Sequence, residues 1–282
     1  MLIARTIKQV KKAVSKARLK NKTIGFMPTM GALHQGHISL IRKAKKDCDF
    51  IVVSIFINPK QFGPNEDYLK YPRVFRKDRE LLEREDVNLI FFPAVSQMYP
   101  DNFSTYIEET HLSQVLCGAS RQGHFKGVCT VVAKLFNIVG PDIVYFGAKD
   151  YQQAKVIERM LIDLNFPIKI KICPIIREYD GLAMSSRNSY LDNEQRKNAT
   201  CLYSALSLAQ VLIQKGERDA KKVLAAMKGL INLTNGVKVD YLKIVNADTL
   251  GDIQIIKGKV LIALAIFIGA TRLIDNKELY VK

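Results

Sequence analysis

Apolar residues fall at two different spacings along this chain, and the spacing switches back and forth over its first 176 residues. Over 6–20 they recur every three or four positions, so that Ile7, Val10, Val14 and Ala17 form one helical stripe among lysines. Thr6 followed by Gln9 supplies a capping box for that helix. Residues 23–27 (TIGFM) read as a short strand and 28–36 as a turn-rich loop. A helix over 37–46 follows, with Ile38, Leu40, Ile41 and Ala44 as core positions. Residues 50–57, FIVVSIFI, are an unbroken apolar run rich in β-branched side chains, as a strand buried on both faces requires. The alternation goes on with a charged helix over 68–84, a strand over 87–92 closed by Pro93, and a helix over 127–139. A strand over 143–146, a helix over 152–165 and a strand over 168–172 complete it.

Strands and helices taking turns, with short connections, predict an α/β fold: a Rossmann-like parallel sheet flanked by helices. Such sheets bind ligands in the loops after the carboxyl ends of their strands. Beyond residue 176 the texture changes to helices over 193–214 and 218–233 and strands over 237–245 and 260–268. Asn235-Gly236 and Lys257-Gly258 supply turns between them. The chain is therefore expected to divide into a first domain, 1–176, and a smaller α+β domain, 177–282.

Composition changes this picture little. The longest apolar stretch, 260–270, is too short to span a bilayer as a helix, and no signal-peptide core follows Met1, so a soluble cytoplasmic protein is expected. The five cysteines are odd in number and lack a CxxC pair, which suits reduced thiols over a disulfide framework or a cysteine zinc site. Net charge is +16, and twelve Lys or Arg residues precede the first acidic one, Asp47. That excess fits anionic substrates or a solvated helix face as well as a nucleic-acid or membrane partner.

The chemistry concentrates on the predicted loops. In 27–37 (MPTMGALHQGH) a loop leaves a strand and enters a helix, so backbone N–H groups and the helix dipole make an anion site. His34 and His37 form an HxGH motif there, and Gly36 allows close approach of a nucleotide. Gly31 and Gly36 have the separation of a phosphate-binding Walker loop, but His37-Ile38 stands where Lys-Ser or Lys-Thr belongs, and no GxGxxG occurs. Later come Met184-Ser185-Ser186-Arg187, whose hydroxyls and guanidinium suit a triphosphate. Asn58 and Gln61 follow the 50–57 strand in NPKQF, where Asn58 is either a loop cap or a ligand. RQGHFKGV (121–128) and GAKDYQQ (147–153) complete the set.

HxGH after the first strand resembles the nucleotidyltransferase superfamily that includes class I aminoacyl-tRNA synthetases, and MSSR looks like its second nucleotide motif. All five blocks, in their order along the chain, closely resemble the pantothenate synthetase (pantoate–β-alanine ligase) family over most of the first 190 residues. The resemblance implies an enzyme that joins pantoate to β-alanine with ATP and Mg²⁺, through a non-covalent pantoyl-adenylate, the metal being held mainly by ATP phosphates. It makes 1–176 the nucleotide- and pantoate-binding domain and starts 177–282 with the MSSR loop. It implies His34, His37 and Lys149 as the catalytic residues, with His37 stabilising charge. ATP would be bound by Met30, His34, Gly36, His37, Gly147, Lys149, Asp150, Ile176, Met184, Ser185, Ser186 and Arg187. Pantoate and β-alanine would be bound by Gln61, Gln153, Asn58 and Arg121. A homodimer in the cytoplasm is implied, with neither nucleic acid nor membrane as a partner. His124 either orders the loop carrying Arg121 or is structural, and His111 has no motif around it.

Three rival readings are weaker. A nucleotidyltransferase that builds a dinucleotide cofactor would use HxGH but leaves NPKQF and GAKDYQQ unexplained. A nucleic-acid module would explain the charge, yet no aromatic residues interleave with the N-terminal lysines. Helix 6–20 likewise lacks the large aromatic anchors of an interfacial membrane helix.

Overall fold

The computed structural model describes residues 1–64 and 66–282. Its strands are β1 (Leu2–Ala4), β2 (Ile24–Thr29), β3 (Phe50–Ile55), β4 (Leu89–Phe91), β5 (Ile143–Gly147), β6 (Lys169–Cys173), β7 (Val237–Asn246), β8 (Gly258–Ile268) and β9 (Thr271–Val281). The helices are α1 (Ile7–Arg18), α2 (Gln35–Asp47), α3 (Phe75–Arg84), α4 (Val95–Met98), α5 (Cys117–Ser120), α6 (His124–Val139), α7 (Tyr151–Asp163), α8 (Asn193–Asn198), α9 (Cys201–Gln214) and α10 (Ala220–Asn232). Two compact units result. One comprises Met1–Thr110, Arg121–Ala148 and Gln153–Pro174; the other comprises His111–Ser120, Lys149–Gln152 and Ile175–Lys282. Two short stretches from before residue 176 thus belong to the second unit.

The first unit is built on a six-stranded sheet, all parallel, in the order β1-β4-β3-β2-β5-β6. Helix α1 starts where the capping box predicts: Thr6 accepts from Gln9 N, and the Gln9 side chain returns to Thr6 N. Val10, Val14 and Ala17 are its buried stripe, each buried valine contributing about 1.5–3 kcal/mol of hydrophobic stabilisation. The strand predicted over 23–27 runs on through Pro28 to Thr29. Proline is tolerated in this interior strand because β2 pairs with β5 only at Gly25 and Phe26, and Pro28 lies beside β3 alone. The helix expected over 68–84 begins only at Phe75, since Pro72 disfavours helical backbone in the residue before it. Met27, Ile38, Ile41, Val53, Leu82 and Ile90 belong to one buried core that joins the sheet to its helices.

In the second unit, β7, β8 and β9 form an antiparallel sheet in that order. The helix expected over 193–214 is broken into α8 and α9. At the break Thr200 Oγ donates to Lys197 O at 2.7 Å, a local bond that competes with the helical ladder. Leu206, Val223, Met227, Ile231, Ile262 and Leu264 are among the core residues of this unit. None of the five cysteines is in a disulfide; four are buried and Cys48 is half-buried. Among the described residues no helix is long and apolar enough to cross a membrane.

Candidate active site

In the first unit the strand order reverses between β2, followed outward by β3 and β4, and β5, followed outward by β6. Loops that leave neighbouring strands in opposite directions open a crevice at their carboxyl ends. The loop after β2 carries the HxGH motif. Helix α2 begins at Gln35, two residues earlier than predicted, because His34 is its N-cap. His34 Nδ1 accepts from Gly36 N at 3.1 Å, and His37 Nδ1 accepts from His34 N at 3.2 Å. The two rings stand 4.1 Å apart between centroids. With each Nδ1 serving as an acceptor, each neutral ring carries its proton on Nε2, so both imidazoles are donors through that nitrogen. The first turn of α2 holds no acidic residue and its last turn holds Lys45 and Lys46, which leaves the positive end of the helix dipole uncompensated at the histidines.

The preceding turn is unusual. Gly31 has φ of 84° and Ala32 has φ of 50°, left-handed backbone that an L-residue rarely adopts. The Asp78 carboxylate on α3 accepts from Ala32 N at 2.9 Å and Leu33 N at 2.8 Å. Burial raises the Asp78 pKa and these two backbone bonds oppose it, the net direction being upward.

After β3, Asn58 and Gln61 are both buried. Asn58 Nδ2 donates to Gln61 Oε1 at 2.9 Å and to Gly127 O at 3.1 Å, while Asn58 Oδ1 accepts from Tyr99 OH at 2.8 Å and Lys60 N at 3.2 Å. Asn58 is thus the loop cap and also the residue that orients the Gln61 amide, whose Nε2 lies 3.1 Å from Met30 Sδ. Arg121, implied as a substrate residue, is bonded to Glu66 through Nε at 2.6 Å and Nη2 at 2.5 Å. Its Nη1 lies 3.0 Å from His124 Nε2, and His124 Nδ1 lies 2.8 Å from Gln61 O. His124 therefore orders the loop that bears Gln61 as well as Arg121. Burial raises the Glu66 pKa, but the Arg121 hydrogen bond and charge outweigh it, and the carboxyl ends below its ordinary range. Gly147 closes β5, and Gln153 sits half-buried near the start of α7.

The remaining candidates lie in the second unit. Lys149 Nζ is 3.7 Å from Asp150 Oδ1, and Lys149 O accepts from Asn276 Nδ2 at 2.8 Å. The neighbouring glutamines differ. Gln152 is buried in a structural role, donating to Leu112 O at 2.7 Å and Val115 O at 2.6 Å and accepting from Cys117 N at 3.0 Å. Residues 176–184 form a tight hairpin: Met184 N donates to Ile176 O at 3.0 Å, and Arg177 bridges Ala183. Arg177 is clamped to the fully buried carboxylate of Asp275 at 2.6 and 3.0 Å. Arg196 binds Glu178 at 2.6 Å and Asp180 at 2.8 Å. Ser185 caps the turn that follows by accepting from Arg187 N at 3.3 Å, and Met184, Ser185, Ser186 and Arg187 are all half-buried.

A family model described as pantoate-beta-alanine ligase matches residues 2–278. The chain belongs to the pantoate-β-alanine ligase family. It is 54% identical over 276 residues to the pantothenate synthetase of Caldicellulosiruptor saccharolyticus, covering 98% of each chain. The crystal structure of pantothenate synthetase from Thermus thermophilus superposes with a TM-score of 0.95 at 42% identity, over 99% of this chain and 100% of that one. Pantoate-β-alanine ligase from Francisella tularensis, solved with β-γ ATP and β-alanine, matches at a TM-score of 0.80 and 37% identity, over 98% and 97% of the two chains.

The fold expected from the sequence is the fold of these ligases. Three residues that shape this ligase's loops escaped the sequence reading. Asp78 sits in the charged string RKDRE, where nothing marks one carboxylate for burial. Glu66 and Tyr99 reach Arg121 and Asn58 from 55 and 41 residues away. Only tertiary structure supplies such pairings.

Proposed function

We propose that this chain catalyses the ATP-dependent condensation of (R)-pantoate with β-alanine, giving pantothenate, AMP and pyrophosphate. The observation that carries the reading is the reciprocal capping of α2 by His34 and His37 beside the reversal of strand order, in a chain that matches the pantoate-β-alanine ligase family over residues 2–278. The triphosphate is drawn to the N-terminus of α2. His34 and His37 donate to it from Nε2–H as neutral rings, while Gly36 and the Met30 backbone lie along the nucleotide. Mg²⁺ enters with ATP as part of the substrate. Among the described residues no group of three or more His, Cys, Asp or Glu side chains is placed to hold a metal ion.

Gln61 and Gln153 hold pantoate by its hydroxyls and carboxylate. Asn58 and Arg121 act on it by fixing Gln61. A carboxylate oxygen of pantoate attacks the α-phosphorus, the bond to the β-phosphate breaks, and pyrophosphate leaves. Lys149 offsets charge at the α-phosphorus, and Ser185, Ser186 and Arg187 receive the pyrophosphate. Gly147, Asp150, Ile176 and Met184 serve the adenosine. The β-alanine amine then attacks the acyl carbon and loses a proton, and the mixed anhydride breaks with AMP as leaving group. No side chain acts as a nucleophile. Residues 1–176 carry nucleotide and pantoate chemistry, although 111–120 and 149–152 fold with the second unit, and 177–282 carry the MSSR loop. The setting is the cytoplasm and the assembly a homodimer, with neither nucleic acid nor membrane as a partner.

The test is to incubate the purified protein with MgATP, with and without pantoate and with and without β-alanine, and to follow AMP, pyrophosphate and pantothenate. AMP and pantothenate formed in equal amounts, only with both substrates present, is the expected result. Pyrophosphate release that does not depend on pantoate, or no turnover at all, overturns the substrate assignment.

A further inference from the structure

The turn before the histidines is held by a buried carboxylate on α3 that the reaction above does not use. Asp78 is 2% exposed and takes two consecutive backbone N–H groups, Ala32 on Oδ2 and Leu33 on Oδ1. Gly31 N donates to Thr29 Oγ at 3.2 Å, and that hydroxyl in turn donates to Ser54 O at 2.7 Å. His34 N and Gly36 N are taken by the imidazoles. The backbone N–H groups of residues 31–34 and 36 therefore all have acceptors within the protein before any nucleotide arrives. The approach of the carboxylate leaves no room for a side chain at position 31. A Cβ on Gly31 would stand 2.9 Å from Asp78 Oδ2 and 3.0 Å from Ile55 Cγ2. Ala32, at φ of 50°, is held in a conformation it would not keep unaided.

A negative charge here is counterproductive for phosphate affinity by simple Coulomb repulsion. A buried group that opposes the ligand is explained if it sets geometry. We propose that Asp78 is a positioning residue for the nucleotide: by occupying the amides of Ala32 and Leu33 it withholds them from the phosphates, fixes the strained turn, and directs the triphosphate to His34, His37 and the start of α2. The inference rests on the reading of that loop as the ATP site. It adds that the loop is preformed and that its donor set is chosen by a residue on α3.

Asp78→Asn keeps the side-chain volume and one acceptor but sets an amide NH₂ against the second backbone N–H. Binding of MgATP alone, measured by calorimetry, should weaken by about 10- to 100-fold, the scale of a misplacement of about 1 Å. In turnover the KM for ATP should rise alike, while the KM values for pantoate and β-alanine stay within about twofold. A folded variant that binds MgATP like the parent overturns the proposal, and so does an equal loss for all three substrates. Should the variant not fold, hydrogen exchange on the unaltered chain without nucleotide decides: slow exchange at Ala32 and Leu33 supports the proposal, and fast exchange there overturns it. The calorimetric arm needs no pantoate. An unaltered chain that binds MgATP but makes no pantothenate therefore defeats the ligase reading and leaves Asp78 to be judged separately.

Discussion

Replacing Gly127 with alanine puts a methyl group where backbone already lies. The ideal Cβ would be 2.1 Å from Lys60 O, 2.5 Å from Lys60 C and 2.7 Å from Gln61 N. The closest of these falls about 1.3 Å short of the 3.4 Å at which ordinary van der Waals contact begins, and no rotamer change relieves a clash with main chain. Either α6 or the loop after β3 must move by roughly that amount. Two effects on stability oppose each other. Overpacking costs about 1–3 kcal/mol, while alanine for glycine inside a helix returns about 1 kcal/mol. The net change is about 0–2 kcal/mol, a fall in Tm of a few degrees at most. Activity has no such compensation, because the displaced residue is Gln61, whose amide is otherwise fixed by Asn58 and whose carbonyl is held by His124. In the role proposed for Gln61 on pantoate, a shift of about 1 Å costs on the order of 100-fold. The assay is AMP release at saturating ATP and β-alanine with pantoate varied, beside a thermal melt. A fall in kcat/KM for pantoate of about that size with a nearly unchanged Tm is expected. Wild-type pantoate kinetics would refute the reasoning, since the contact would then transmit nothing to the site.

Three further outcomes are expected. Asp275→Asn leaves Arg177 facing a neutral partner at a carboxylate site with no exposed side-chain surface. It should lower the unfolding free energy by about 3–5 kcal/mol, read as a reduced urea midpoint. The Glu66 carboxyl is held low by Arg121, so its contribution to stability is fully present above the unfolded pKa and is lost as pH falls through the folded value. Melts recorded from neutral pH down into that window should show a steeper loss for the native chain than for Glu66→Gln; equal slopes would contradict the assignment. Burial pushes the Cys129 thiol up to about 12 and Cys201 to about 11. Iodoacetamide at mildly alkaline pH should therefore spare both until denaturant is added, and early modification of either in the folded protein would show that its surroundings open.

The elements that were legible in the sequence are those in which local and global signals agree. FIVVSI is apolar at every position but one because β3 is buried on both faces, and α1 carries its own start signal in Thr6 and Gln9. What stayed hidden depends on distant partners. Strand β9 breaks the apolar alternation with Asp275 and Asn276, two buried polar residues that make sense only beside Arg177 and Lys149 O. Strand β1, three residues long, carries too few positions for a period to show. In the site, HxGH and NPKQF are visible because histidine, glycine and proline cluster after strands. Gln152 and Gln153 are identical in kind, and only folding separates the one that ties Leu112, Val115 and Cys117 from the one left half-buried.

The second unit is not one continuous piece of chain: His111–Ser120 and Lys149–Gln152 lie far ahead of the rest of it. Leu116 and Tyr151 are buried in one cluster with Val245, Ala247, Leu250, Leu261 and Ala263, and Tyr151 OH donates to Glu278 at 2.5 Å. During synthesis these two early stretches leave the ribosome more than a hundred residues before Leu261, Ala263 and Glu278 exist to receive them. A fragment ending near residue 176 would present Leu116 and Tyr151 to water, so cutting the chain at that point yields a protein prone to self-association in place of a free-standing nucleotide-binding half.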